Sequence, residues 1–154
     1  MSAYFLDSSA LVKRYAQEQG TAFIITLLKP SAKNQIYVAR TAFVEVISAL
    51  ARRHRGGSLR ATQWAKANAR FRRLFKRQFR ILEIDESVAD ESAQLAEKHF
   101  LRGYDAIQLA TALEVQRIRT RLGAAPLIFV SADNELNNAA HAEGLAVENP
   151  NHHP

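Results

Sequence analysis

The chain has 154 residues, 47% of them hydrophobic and 23% charged, with a net charge of +6 and no cysteine. That length suits one domain with one substantial core, and the lack of cysteine excludes disulfides and thiolate metal sites. No apolar run approaches the roughly 18 residues of a bilayer span, and MSAYFLDSS carries no basic-then-apolar leader, so a soluble, cytoplasmic protein without membrane contact is expected.

Residues 3–6 (AYFL) read as a short buried strand ending at Asp7. Ser8 or Ser9 then offers an N-cap for a helix carrying Leu11, Val12 and Tyr15. Gly20 closes that segment, and TAFIITLLK forms a second helix that stops at Pro30. IYVA (36–39) is strand-like. Thr41 caps a third helix with Phe43, Val44, Ile47 and Leu50 on its buried side, running to about Gly56 and Gly57. Ser58 opens a fourth, where Trp64, Ala67, Phe71, Leu74 and Phe75 recur at helical spacing. This stripe suits core packing better than base stacking.

RILEI (80–84) is a strand, and Asp85 with Glu86 caps a fifth helix. Gly103 separates it from a sixth, from Tyr104 to about Leu122. LIFVS (127–131) is a strand bounded by Pro126, a last helix covers 137–143, and LAVE (145–148) is a final strand. The expected organisation is one domain over 1–149, with 150–154 a flexible, frayed tail. Short apolar strands alternating with helices predict an α/β fold: three layers, α/β/α, around a mainly parallel sheet of about five short strands.

Four acids border or interrupt apolar runs: Asp7, Glu45, Asp105 and Asp133. In parallel sheets, functional groups collect beyond the carboxyl ends of the strands. Asp7 follows the first strand and Asp133 lies just past LIFVS, so the two meet at one rim, with Glu45 and Asp105 leaning in from helix starts. Gathered carboxylates repel one another unless a cation intervenes, and oxygen ligands favour a hard ion, Mg²⁺ or Mn²⁺. Metal held by acids and water suits phosphodiester hydrolysis.

Between Glu45 and Glu83 there is no acid, and this stretch, Arg52 to Arg80, holds eleven of the 21 lysines and arginines. Such a block suits a polyanion, an acidic protein, or simply a solvated helix face. The five histidines show no ligand spacing, there is no P-loop or GxGxxG, and no His–Asp pair marks Ser8 or Ser9 as a nucleophile.

LDSSALVK, the Glu within AFVEVISAL, YDAIQLATA and FVSADNEL, in this order, resemble the PIN-domain ribonucleases, and the short form resembles VapC, the toxin group of type II toxin–antitoxin pairs. The resemblance spans Tyr4 to Val147, with DAIQLATA its most distinctive part. It implies that Asp7, Glu45, Asp105 and Asp133 form a catalytic quartet binding Mg²⁺ or Mn²⁺, supported by Ser9 and Ser131. It also implies an RNA substrate, a homodimer and a cognate antitoxin that blocks the site.

Each acid has a purely structural alternative. Asp7 serves as a helix-entry cap, Glu45 as an ion-pair partner of Arg40 or Arg52, Asp105 as a first-turn dipole partner, and Asp133 as an Asx-turn residue. Two other functions stay open: a catalytically inactive binding or RNA-processing scaffold on the same fold, and a phosphatase of small substrates.

Overall fold

The computed structural model describes all 154 residues. Five parallel strands form one sheet in the order β3-β2-β1-β4-β5, where β1 is Ala3–Leu6, β2 Gln35–Ala39, β3 Arg80–Leu82, β4 Leu127–Val130 and β5 Ala146–Glu148. All four ladders are parallel. The three-layer α/β/α architecture expected from the alternating strands and helices is therefore present.

Side chains alternate across the sheet with the period of two that a strand imposes, and this splits the interior into two cores. Leu6, Ile36, Val38 and Val130 face the helices α1 (Ser8–Leu11), α2 (Thr21–Leu28), α3 (Ala42–Arg55) and α4 (Ala61–Gln78). Ala3, Phe5, Ala39, Leu127 and Phe129 face α5 (Glu86–His99), α6 (Gly103–Arg121) and α7 (Asn134–Ala142). Phe5 and Phe129 stack with centroids 5.8 Å apart on adjacent strands. No helix is long and apolar enough to cross a membrane.

The chain runs outward from β1 to β2 and β3, then returns to the other side of β1 as β4 and β5. The order reverses between β1 and β4, and there the strand ends leave a crevice. Asp7 N–H donates to the Val130 carbonyl at 3.1 Å, which fixes the two exits side by side.

Several local details differ from the sequence expectation. The first helix is capped by Asp7, whose carboxylate accepts from Ala10 N–H, and not by Ser8 or Ser9. It tightens to a 3-10 turn over Val12–Arg14. On α3 the buried positions are Ala42, Val46 and Leu50, while Val44 is exposed because its side of the helix faces the crevice. Thr41 makes no side-chain cap. Helix α4 begins after Arg60, whose N–H is capped by Gln63 at 2.9 Å, while the Ser58 hydroxyl turns back to the Arg53 carbonyl. Strand β3 ends at Leu82, and Glu83 turns to pair with Arg40. Helix α7 starts at Asn134, three residues early, because Asp133 caps Leu136 N–H at 3.0 Å.

The tail is laid against α2 instead of fraying. Pro150 is buried, Gln19 Nε2 donates to the Asn151 carbonyl at 2.7 Å, and His153 stacks on Phe23 at 3.9 Å. Gly20 makes this docking possible. It sits at φ +85°, and a Cβ there would stand 2.6 Å from the Pro150 carbonyl oxygen. Gly20→Ala should cost about 2–4 kcal/mol from left-handed backbone strain and the clash. Urea denaturation measures it; a loss below half a kcal/mol would show that the tail contact is dispensable.

Candidate active site

The crevice at the β1–β4 switch is a cleft of about 650 Å³ lined by Asp7, Ser8, Ser9, Glu45, Asp105 and Asp133, with Lys13, Glu18, Arg52, Arg53 and Arg102 around them. All four acids singled out from the sequence thus face one space. Asp7 enters from the end of β1, Glu45 from the first turn of α3, Asp105 from the first turn of α6, and Asp133 from the cap of α7.

Asp7 is the innermost acid, 2% exposed. Ser9 Oγ donates to its Oδ1 at 2.7 Å and Ser131 Oγ to its Oδ2 at 3.0 Å. The serines knit the two strand exits together: Ala132 N–H donates to Ser9 Oγ at 2.9 Å and Asp133 N–H to Ser131 Oγ at 3.1 Å. Asn137 Nδ2 in turn holds the Ser131 carbonyl at 2.8 Å. Burial raises the Asp7 carboxyl to about 7, against the pull of these hydrogen bonds, with a further push from Glu45.

Glu45 receives Ser8 Oγ at 2.8 Å and Gln108 Nε2 at 2.7 Å. Its carboxyl is raised by burial, opposed by those two donors, with repulsion from Asp105 added. Asp105 is raised by burial and then by Asp133. The acids therefore form a chain of like charges in which each one feels the next, a costly arrangement that the exposed Arg102 beside Asp105 offsets only in part.

The structural alternatives separate on this geometry. Glu45 has no ion pair, since Arg40 goes to Glu83 and Arg52 to Ser48. Asp7 and Asp133 do cap helices, yet each uses only Oδ1 for the cap; Asp7 Oδ2 accepts from Ser131 Oγ and Asp133 Oδ2 makes no hydrogen bond. Arg102 stands over the mouth, its Nε 3.3 Å from Asp105 Oδ2 and its Nη2 4.0 Å from Asp133 Oδ2. It is 85% exposed and so free to swing away.

No three acidic or histidine side chains converge tightly enough, as they stand, to grip an ion. Their chemistry nonetheless fits a hard divalent cation. The acids and serines offer only oxygen, and a cation among them would offset the burial that raises the carboxyls of Asp7, Glu45 and Asp105.

Sequence reading missed Ser8 as a donor to Glu45, and Gln108, Lys13 and Arg102 altogether. Gln108 had a signal: it lies three residues after Asp105, hence on the same helix face. Lys13 had none, because a buried lysine (5% exposed) is identified only through its partner Glu18 at 3.3 Å.

A family model described as PIN domain matches residues 4–142. Ribonuclease VapC45 and Ribonuclease VapC49, both of Mycobacterium tuberculosis, are each 31% identical to this chain over 147 residues, covering 96% of it and 95% of the relative. Among solved structures, FitAcB from Neisseria gonorrhoeae aligns with a TM-score of 0.65 at 20% identity, covering 96% of this chain and 97% of that one. A toxin–antitoxin complex from Klebsiella pneumoniae aligns with a TM-score of 0.62 at 19% identity, covering 96% and 97%. These two structures share the fold.

Proposed function

Because the chain belongs to the PIN-domain family, we propose that it is a metal-dependent endoribonuclease, the toxin of a type II toxin–antitoxin pair. On this reading it works in the cytoplasm as a homodimer until a cognate antitoxin occupies its site. The observation that carries the reading is the convergence of four carboxylates from four elements on one cleft, at the point where the strand order reverses. The names of its relatives add the ribonuclease and toxin parts.

Asp7, Glu45, Asp105 and Asp133 would hold Mg²⁺ or Mn²⁺, with Ser9 and Ser131 supporting. When bound, such an ion would polarise the phosphate and lower the pKa of a coordinated water. The chain's own residues supply the rest. Ser9, Ser131 and the Ala10 N–H fix the orientation of Asp7. Ser8 and Gln108 aim Glu45 into the cleft. Arg52, Arg53 and Arg102 at the rim offset the charge of an entering phosphodiester.

The test is cleavage of total cellular RNA by partner-free protein with Mg²⁺ or Mn²⁺ and with EDTA. Discrete fragments that vanish with EDTA are expected. A folded protein that cuts nothing would be a binding or scaffold member of the fold. Within this mechanism Gln108→Leu should lower activity about tenfold, as loss of a supporting hydrogen bond at a metal site does. The donor holds the Glu45 carboxyl down, so its loss raises that carboxyl further and the defect should be deeper at pH 6 than at pH 8. A pH–rate profile parallel to wild type would remove Gln108 from the mechanism.

A further inference from the structure

Beside the acidic cleft lies a second one of about 690 Å³, and the two share Glu18 and Arg53 in their common wall. The second is lined by Arg14 and Tyr15 from the 3-10 turn after α1, and by Lys66 and Arg70 from α4. The one acid there, Glu18, is already engaged: Lys13 Nζ lies 3.3 Å from it and Arg53 Nη2 3.0 Å. Arg14, Lys66 and Arg70 have no carboxylate within ion-pair distance.

Lys66 and Arg70 are exposed, as are Arg73, Lys76 and Arg77 further along α4, the ordinary behaviour of a charged helix face; what sets the first two apart is the cation that faces them. Arg14 comes from a different element, is half-buried, and meets Arg70 across the cleft. Burial first, and Arg70 second, hold its guanidinium below the ordinary range. Two cations from separate elements, converging without a counter-ion, cost free energy that a bound anion removes.

We infer that Arg14, Lys66 and Arg70 form a phosphate-binding subsite that holds the RNA backbone on one side of the cleavage position. The inference rests on the nuclease reading for its ligand. It favours RNA over an acidic protein for two reasons. The subsite continues the catalytic cleft through a shared wall, so a strand leaving one enters the other. In addition, its large apolar lining residues, Tyr15, Ile25 and Leu59, are half-buried in the wall, and the exposed large apolar residues (Val44, Phe100, Tyr104, Ile118 and Leu122 among them) line no part of it, whereas the centre of a protein interface needs exposed anchors. Phosphate contact of this kind carries affinity and register but not sequence choice.

The test compares wild type with the double variant Arg14→Gln/Arg70→Gln, which relieves repulsion and should melt no lower than wild type. RNA binding is measured against salt in an Asp7→Asn background with a single-stranded RNA of about 20 nucleotides. Each lost phosphate contact removes about 0.7 from the slope of log K on log salt, so the slope should fall by about 1.4. In the catalytically intact background, KM for the long RNA should rise about tenfold with kcat unchanged, because a backbone contact outside the reacting atoms binds ground and transition states alike. A four-nucleotide substrate confined to the cleavage position should be cut as by wild type. An unchanged salt slope together with an unchanged KM overturns the subsite. Weakened capture of a copurifying protein with RNA binding intact overturns it in favour of a protein surface. If wild type cuts no RNA but the double variant still flattens the salt slope, the nuclease reading fails and the subsite stands.

Discussion

Replacing Asp7 with asparagine should lower RNA cleavage by about a thousandfold or more, since loss of one inner carboxylate removes several kcal/mol of transition-state stabilisation. The same change should make the metal-free protein more stable at pH 8. Asp7 is buried, and its folded-state value near 7 stands above the ordinary 3.8. Between those values the unfolded chain has released the proton while the folded chain retains it. The unfolded state therefore binds fewer protons, and stability falls as pH climbs from about 4 to about 7. Above that window both states are charged and the full penalty remains, on the order of 4 kcal/mol at most. Asparagine keeps the Ala10 cap and the Ser9 contact but carries no charge. Thermal melts should place the variant above wild type at pH 8, with the gap closing toward pH 4. Mg²⁺ or Mn²⁺ should raise the wild-type midpoint and leave the variant unmoved. A variant that cleaves normally with metal, or melts below wild type at pH 8, would defeat the assignment of Asp7.

A buried carboxylate that costs stability stands out from its surroundings, which is why the acids of the candidate site were legible in the sequence. An acid after a four-residue apolar strand (Asp7), in the first turn of an amphipathic helix (Glu45) or in the first turn of a largely buried one (Asp105), stands against the local hydrophobic pattern, and the α/β topology says where strand ends gather. The strands of the sheet were legible for the same reason. AYFL and LIFV are short, apolar and bounded by turns, and they pair across the middle of the sheet.

What escaped the sequence depends on contacts between elements distant along the chain. Ser8 and Gln108 look like an ordinary helix-start serine and a polar helix residue until α3 brings Glu45 between them. Val44 satisfies the apolar spacing of α3 but faces the cleft, because periodicity identifies an apolar stripe and not the position of its edge. The tail reads as polar and terminal, yet Gly20 and Phe23, 130 or so residues earlier, supply the surface it packs on. Arg14 is invisible as a site residue for the same cause: its partner cation, Arg70, belongs to another helix.

The largest effect on stability should come from Phe71→Ala. Phe71 is fully buried at the centre of the α1–α4 core. Its ring meets Tyr15 edge-on at 5.1 Å, stacks on Phe43 at 5.7 Å and meets Phe75 edge-on at 5.3 Å. Removing a buried phenyl group typically costs about 3–5 kcal/mol, a large part of the roughly 5–15 kcal/mol that holds a domain together. For a chain of this size the midpoint should drop by roughly 10–15 °C. The position also matters for the site. Tyr15 ends the turn that carries Lys13 and Arg14, and Phe43 lies two residues before Glu45, so this one ring ties α4 to walls of both clefts. Phe71→Leu, which keeps most of the volume, should cost only about 1–1.5 kcal/mol and preserve RNA binding. Phe71→Ala should weaken both RNA binding and cleavage at temperatures well below its own melting midpoint. Equal loss of stability in the two variants would mean that the core there collapses around the gap, and that the aromatic cluster does not set the geometry of the clefts.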